Sequence, residues 1–453
     1  MQRDSDTIEK KEETGTRFIR GREVQGMGTV LEYLEKYGKY SFAEMPMTEV
    51  DSLALCQLSY LKFDGMVPGP DSEGKAAPPD MPGAESGGRT SRESEPGGLP
   101  EPAPEKLADS VTELSGVALE SLREHPDYEK LFADVRYEKP NRALYERMVQ
   151  GKRFRDMKLN YYVNVIEERW ETQFSAVTYT LGDGTHYVAY RGTDETIVGW
   201  KEDFNMAFLT PVPGQAISVE YLNQVAGRFD GSLYVGGHSK GGNLAVYSAM
   251  NCAPDIQERI LKIYSMDGPG FRPEVLEKCD YGKIADRVVK ILPNSSLVGM
   301  IFESGMYFQV VKSRTFGLLQ HDPYTWLVTG NHLVRADHLY ERRQQMDNNL
   351  NEWILSLNEE QLRTFVDTMY QVITASEANN LIDFTAEWKK SMNGVIAALK
   401  EVDGETVAAL KEIVRSLFEI TRENHKKQVA AKAEAALGKL APRGKDGKAQ
   451  AEQ

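Results

Sequence analysis

The spacing of apolar residues changes along the chain, and each change predicts a different kind of element. Near the N-terminus, apolar residues recur every three or four positions, which predicts helices over residues 30–37 and 50–60. From residue 159 onwards, short runs that are apolar or alternate with polar residues predict strands. The predicted strands cover residues 159–169, 174–180, 185–190, 233–235, 260–266 and 287–292.

Segments with helical spacing lie before and between these strands. They cover residues 110–131, 141–151, 218–229 and 244–251. Strands that alternate with helices indicate an α/β fold, in which a mostly parallel sheet carries helices on both faces. Beyond residue 331 the pattern becomes almost wholly helical, and the first helix there is predicted over residues 334–357. This part is interpreted as a helical C-terminal extension.

Composition divides the chain further. Residues 65–105 are crowded with Pro, Gly, Ser and Glu and contain almost no large apolar side chains, so burial cannot offset the entropy lost on ordering. We predict a disordered insertion within one domain, because the helices on either side belong to one fold. The predicted organisation is a disordered N-terminus (1–25), an α/β domain (26–330), a helical C-terminal region (331–430) and a disordered tail (431–453).

The overall composition narrows the function classes. Of 453 residues, 41% are hydrophobic and 27% charged, as in ordinary globular proteins, and a net charge of −14 argues against a general nucleic-acid binder. No apolar leader and no run of about 18 apolar residues is present, so neither export nor a membrane span is predicted. Three cysteines suit a reducing compartment, and we predict a cytoplasmic protein. Cys and His residues lack metal-ligand spacing, and no cofactor is predicted.

A glycine-flanked serine lies directly after the predicted strand at 233–235. The stretch reads Gly237-His238-Ser239-Lys240-Gly241. A serine on a sharp strand-to-helix turn leaves no room for side chains two residues away, and the two glycines provide that room. We predict that the Ser239 hydroxyl projects above the sheet edge and that the Lys240 backbone N–H faces an oxyanion. An inert serine in a glycine-rich turn is the alternative.

A nucleophilic serine needs a general base and an orienting acid, which in this type of turn follow in the chain order Ser, acid, His. Four histidines follow Ser239: His321, His332, His338 and His425. His321 comes just after the last predicted strands, where a base carried by a loop is expected. The other three lie at or within the predicted C-terminal helices or near the tail. We therefore predict His321 as the base and His238 as a packed neighbour that supports the turn.

Several motifs together resemble the class 3 (fungal-type) lipases of the α/β-hydrolase superfamily, and more closely an uncharacterised bacterial family of lipase-like proteins. The resemblance covers roughly residues 27–330, and its motifs are Tyr190-Arg191-Gly192-Thr193, Gly237-His238-Ser239-Lys240-Gly241-Gly242, Met266-Asp267-Gly268-Pro269, Arg287-Val288-Val289 and His321-Asp322-Pro323-Tyr324. It implies an acyl-ester hydrolase. It also implies a second oxyanion N–H after Arg191-Gly192, from Thr193 or Asp194.

The chain departs from this family at the acid. The family carries its catalytic aspartate after the strand that corresponds to residues 287–292, where this chain has Asn294, Ser295 and Ser296. Asp267, at the end of the preceding strand, keeps the required chain order and is predicted as the acid, although an aspartate that starts an Asp-Gly-Pro-Gly turn is an ordinary alternative. Glu303 and Asp322 are the competing acids. At position 240 the family places an apolar residue, so Lys240 suggests a more polar site.

These observations favour a serine hydrolase that cleaves a carboxylic ester or thioester through an acyl-enzyme. A peptidase with the same parts stays open. The rival interpretation is a catalytically silent scaffold that binds partners through its C-terminal helices, and those helices are also candidates for self-association. Residues 297–308 are unusually apolar and broken by glycines, which fits either a wall or lid of a substrate pocket or a core connection.

Overall fold

The computed structural model describes the chain in several stretches. They are residues 27–69, 116–133, 137–167, 172–193, 206, 211–296, 298–302, 306–315 and 317–336, together with scattered residues between 339 and 422. The predicted disordered N-terminus and tail lie outside the described residues, as does the predicted insertion beyond residue 69. The division into domains therefore stays a prediction.

Three helices near the N-terminus form one layer of the fold. They are α1 (Val30–Tyr37), α2 (Glu49–Leu58) and α3 (Glu138–Gln150). Thr29 caps α1 and Thr48 caps α2, each in a reciprocal capping box with an acidic residue three positions later. These caps satisfy backbone N–H groups that the first turn of a helix leaves without partners. The helices predicted over 30–37, 50–60 and 141–151 are therefore present, within three residues of the predicted bounds.

Eight strands form one sheet in which each strand lies beside its neighbours in the chain. They are β1 (Val117–Ala118), β2 (Lys158–Glu167), β3 (Thr172–Thr180), β4 (His186–Tyr190), β5 (Leu233–His238), β6 (Ile260–Met266), β7 (Val288–Pro293) and β8 (Phe308–Val311). β1 to β4 pair antiparallel, and β4 to β8 pair parallel. A small separate hairpin follows, of β9 (Val328–Thr329) and β10 (His332–Leu333).

Helices cover both faces of this sheet. The crossovers of the parallel half contain α4 (Pro213–Ala226), α5 (Lys240–Asn251), α6 (Pro254–Arg259) and α7 (Pro273–Lys278). Side chains of β4 show how the faces divide: Tyr187 and Ala189 pack in one core with α1 to α3, whereas Val188 and Tyr190 pack in the other with α4 and α5. This alternation follows from the two-residue period of a strand. The α/β fold class predicted from the sequence, a sheet with a parallel half and helices on both faces, is confirmed.

Two predicted helices differ from what the structure contains. In place of one helix over 110–131, the described residues form β1 and two short 3₁₀ helices, Glu120–Glu124 and Tyr128–Phe132. The helix predicted to begin at Val334 does not begin there, because β10 ends at Leu333 and Val334 exchanges backbone hydrogen bonds with Lys312 and Leu327. At residues 117–118 and at Val334, pairing with other segments of the chain overrides the local helical spacing.

The helices that the structure describes include none that is both long and apolar enough to cross a membrane.

Candidate active site

Ser239 occupies the turn between β5 and α5, at the carboxyl edge of the parallel strands. Its φ of 58° and ψ of −132° are a conformation that non-glycine residues rarely adopt. Such backbone strain costs on the order of 1–3 kcal/mol and persists only where the surroundings enforce it. Here the Ser239 N–H donates to the Met266 carbonyl at 2.9 Å, which ties the turn to the end of β6.

Glycine is required on both sides of this serine. A Cβ at Gly237 would overlap the Gly241 carbonyl, and a Cβ at Gly241 would overlap the carbonyl oxygen of Tyr190 at the end of β4. The turn therefore packs against itself and against the neighbouring strand with no space for side chains. This is the steric requirement expected from the G-x-S-x-G spacing.

His321 connects the serine to a carboxylate. Its Nε2 lies 3.0 Å from Ser239 Oγ, and its Nδ1 lies 2.7 Å from Asp267 Oδ2. Because a carboxylate only accepts, Nδ1 carries the hydrogen, and Nε2 is then the acceptor for the Ser239 hydroxyl. The His321 side chain is 11% exposed, whereas the Asp267 side chain is completely buried. The three predicted residues, which span 82 positions of sequence, thus form one continuous chain of hydrogen bonds.

Asp267 follows β6 directly and has a φ of 51°, in the left-handed region. Its backbone N–H donates to the Ile291 carbonyl of β7 at 2.8 Å, so the neighbouring strand helps to hold this conformation. A short polar side chain tolerates the left-handed region better than most residues do. The backbone geometry at this one residue directs its carboxylate to His321.

Ser296 holds the second oxygen of this carboxylate, a contact that sequence reasoning missed. Its hydroxyl donates to Asp267 Oδ1 and accepts a hydrogen bond of 3.0 Å from the Gly299 backbone N–H. A Cβ at Gly299 would lie 2.5 Å from Asp267 Oδ1, so this loop closes tightly over the acid. Ser296 belongs to the segment after β7, where the resemblance would place the aspartate itself. The serine there instead binds the carboxylate that follows the preceding strand, β6.

Gln320 joins the loop that carries His321 to the segment after β7. Its side chain is buried, accepts a hydrogen bond of 2.7 Å from the Ser295 backbone N–H and donates one of 2.7 Å to the Thr315 carbonyl. The Gln320 carbonyl accepts from the indole N–H of Trp326 at 2.8 Å. Gln320, the residue before the predicted base His321, therefore links the loop of His321 to the segment that contains Ser296.

The backbone groups predicted to face an oxyanion lie on either side of the nucleophile turn. Lys240 is the first residue of α5 and directly follows Ser239. Gly192, next to Thr193, packs against the nucleophile turn, since a Cβ there would lie 3.1 Å from Ser239 Cβ. Thr193 is buried, and Asp194 lies outside the described residues.

The Lys240 side chain extends to the sheet. It is buried, and its ammonium donates to the backbone carbonyl of Gln173 at 2.7 Å. Arg191, also buried, donates from Nη2 to Asn164 Oδ1 at 3.0 Å. The ammonium of Lys240, which was expected to make the site more polar, therefore forms a hydrogen bond with β3.

Asp322 and His332, two of the competing residues, are placed elsewhere. Asp322 caps the short 3₁₀ helix Pro323–Thr325 and accepts from the Tyr324 backbone N–H at 2.9 Å. His332 is an exposed residue of β10. Glu303, His338 and His425 lie outside the described residues.

The apolar stretch over 297–308 is partly described. Met300, Phe302 and Met306 are buried, and Met300 packs with Leu292 of β7. Asn351 brackets the stretch, because its side-chain amide accepts from the Phe302 N–H at 3.0 Å and donates to the Met300 carbonyl at 2.7 Å. The described residues of the stretch are thus packed next to Asp267.

His238, at the end of β5, makes two side-chain hydrogen bonds. Its Nε2 lies 2.9 Å from the backbone carbonyl oxygen of His321, and its Nδ1 lies 2.9 Å from the hydroxyl of Tyr60. The prediction of a packed neighbour understates this residue, since it contacts the loop of the predicted base. Tyr60 comes from the N-terminal layer, and no sequence motif pointed to it.

Comparisons with known proteins show which chains this protein is similar to. The model of the Mbeg1-like family matches residues 148–371, just under half of the chain. That match includes Ser239, Asp267 and His321. No curated protein matches the sequence.

Two solved structures that match are lipases. The M37 lipase is 18% identical, over 36% of this chain and 64% of the lipase chain, with a TM-score of 0.25. Lip2 lipase from Yarrowia lipolytica is 15% identical, over 42% of this chain and 76% of the lipase chain, with a TM-score of 0.27. This chain therefore spans under two thirds of the length of the M37 lipase.

Within the described residues, no group of three or more His, Cys, Asp or Glu side chains is arranged to hold a metal ion.

Proposed function

We propose that this chain is a serine hydrolase that cleaves a carboxylic ester or thioester through an acyl-enzyme. The observation that carries the proposal is the unbroken set of hydrogen bonds from Ser239 Oγ through His321 to the buried Asp267. A serine, a neutral imidazole and a carboxylate in this order are the parts of a nucleophile, its general base and the group that orients the base. The strained turn at Ser239 gives further support, because a sharp strand-to-helix turn at the serine is the conformation that this motif requires of a nucleophile.

The proposed first step forms the acyl-enzyme. Ser239 Oγ attacks the substrate carbonyl carbon while its proton passes to His321 Nε2, and the carbonyl oxygen takes up the negative charge. The backbone N–H groups of Lys240 and Thr193 are the proposed donors to that oxyanion. The tetrahedral intermediate then collapses, and the proton on Nε2 passes to the departing alcohol or thiol.

The second step releases the acid product. Water takes the place of the alcohol or thiol, His321 Nε2 accepts its proton, and the hydroxide attacks the acyl carbon. Collapse of the second intermediate frees the carboxylic acid and returns the proton to Ser239 Oγ. Asp267 keeps Nδ1 protonated throughout and stabilises the imidazolium that forms in each step.

Labelling with a fluorophosphonate probe tests the proposal. The wild type is expected to be labelled, and Ser239→Ala to lose both labelling and turnover of short p-nitrophenyl esters. Ser248→Ala is the matched control, because Ser248 is a buried serine of α5 whose hydroxyl bonds to the Ala245 carbonyl. A folded wild type that reacts with neither probe nor ester would favour the rival scaffold function, and turnover of peptide amides in place of esters would favour a peptidase.

A further inference from the structure

The base His321 is held from two sides, and only one of them is its acid. Asp267 fixes the imidazole ring through Nδ1, whereas His238 fixes the backbone of the same residue through its carbonyl oxygen. A carbonyl oxygen only accepts, so His238 Nε2 must carry a hydrogen. In a neutral imidazole His238 Nδ1 is then an acceptor, and the Tyr60 hydroxyl is the donor to it. The two rings lie 4.6 Å apart between centroids and have opposite tautomers.

Tyr60 also touches the turn that carries the proposed second oxyanion donor. A Cβ at Gly192 would overlap the Tyr60 hydroxyl and lie 2.5 Å from the His238 carbonyl oxygen. The Tyr60 hydroxyl therefore packs against the residue before Thr193 while it donates to His238. One buried side chain thus contacts the turn after β4, the end of β5 and, through His238, the loop of His321.

Tyr60 lies outside the part of the chain that the family model matches, whereas Gly192 and His238, which its hydroxyl contacts, lie within it. Tyr60 follows α2, and the match begins at residue 148. The N-terminal layer therefore adds a group to the site that the matched segment does not contain.

We propose that Tyr60 and His238 are positioning residues for His321, an inference that rests on the proposed function. The Tyr60 hydroxyl holds His238 in the tautomer whose Nε2–H binds the His321 carbonyl. That bond keeps the His321 backbone at the distance from which Nε2 reaches Ser239 Oγ. Neither residue takes a proton from the substrate, because both nitrogens of His238 are engaged by the two contacts. A displacement of about 1 Å in a catalytic group can cost about 10²-fold in rate, so loss of this support should be measurable.

Four variants separate positioning from packing. Tyr60→Phe removes only the hydroxyl, and His238→Leu removes both ring nitrogens. His238→Gln retains an N–H that can reach the His321 carbonyl. Tyr145→Phe is the matched control, because the buried Tyr145 hydroxyl donates at 2.9 Å to the Leu119 carbonyl in the same N-terminal layer and touches none of the proposed site residues.

The expected result is a loss in kcat with little change in KM or in melting temperature. Tyr60→Phe should lower kcat by about tenfold, since one hydrogen bond is lost, and His238→Leu by about 10²-fold. His238→Gln should recover part of that loss, and Tyr145→Phe should match the wild type. Imidazole nitrogen chemical shifts of ¹⁵N-labelled histidines give an independent readout, in which wild-type His238 is protonated at Nε2 and His321 at Nδ1.

Two failures can be told apart. If the wild type is labelled by the fluorophosphonate but Tyr60→Phe and His238→Leu keep wild-type kcat, the positioning inference is wrong and the proposed function stands. The same holds if the nitrogen shifts show His238 protonated at Nδ1 only. If the wild type is folded but shows no labelling and no turnover, the proposed function fails and this inference falls with it.

Discussion

Two buried carboxylates in this molecule each pair with a basic side chain, and they have different surroundings. Asp51 binds Arg153 through both oxygens at 2.6 Å, and both side chains are completely buried. Asp51 also accepts from the Tyr33 hydroxyl at 2.8 Å, and burial together with this neighbouring carboxylate raises the pKa of Tyr33. Asp267 is equally buried but contacts His321, whose far nitrogen continues to Ser239.

The partners explain the contrast between the two pairs. The remaining donors of Arg153 end on backbone carbonyls, those of Tyr40, Ser41, Met45 and Pro46. An arginine does not release its proton in a protein, so the pair of Asp51 and Arg153 cannot pass a proton to another group. Its role is to join α2 to the segment before β2. A histidine carries its proton on either nitrogen and exchanges it near neutral pH. The two equally buried carboxylates thus differ: Asp51 gives structural support, whereas Asp267 belongs to a candidate proton relay.

The largest effect is expected from the pair of Asp267 and His321. Asp267→Asn removes the charge that orients and stabilises the imidazole, so kcat should fall by on the order of 10³–10⁴, with the melting temperature little changed. Steady-state hydrolysis of p-nitrophenyl esters and a thermal melt measure the two quantities. A loss of less than tenfold would contradict the role of Asp267 as the orienting acid.

Changes to the pair of Asp51 and Arg153 should lower the free energy of unfolding. Arg153→Met leaves Asp51 as an unpaired buried charge, and the free energy of unfolding should fall by about 3–5 kcal/mol. Urea denaturation measures this loss. Arg147→Met is the control, because Arg147 pairs with the exposed Glu35 at 2.6 Å and such surface pairs contribute about 1 kcal/mol or less. Equal losses in the two variants would show that burial does not distinguish these pairs.

A smaller effect is expected where Ser296 supports the acid. Ser296→Ala removes one hydrogen bond to a carboxylate, and kcat should fall by roughly tenfold. Ser295→Ala is the neighbouring control, since the Ser295 backbone N–H that bonds to Gln320 survives the change. If both variants retain wild-type kcat in the ester assay, the second oxygen of Asp267 does not need this support.

The smallest effect is expected from Tyr33→Phe, which removes the neutral hydroxyl that donates to Asp51 beside Arg153. Asp51 keeps Arg153 and Thr48 as partners, so the free energy of unfolding should fall by only about 1 kcal/mol. Urea denaturation beside Arg153→Met gives the comparison. A loss as large as that of Arg153→Met would mean that the tyrosine and not the ion pair dominates this cluster.

Sequence spacing by itself determined the features that depend on near neighbours. Helices α1 to α3, strands β2 to β7 and the turn at Ser239 follow from local periodicity and from glycines two residues either side of a serine. The same reasoning failed over 110–131 and at Val334. At residues 117–118 and at Val334 the extended backbone pairs with other segments of the chain, and local spacing carries no record of such partners.

Tertiary structure alone decided how the candidate site is assembled. The sequence left three acids open, and the choice depends on a positive φ at Asp267 and on a hydrogen bond to a histidine 54 positions away. Ser296 and Tyr60 carried no signal of their own, because a hydroxyl acquires its partner only when the chain brings distant segments together. Contacts of this kind depend on the packing of whole layers, so local spacing along the chain cannot specify them.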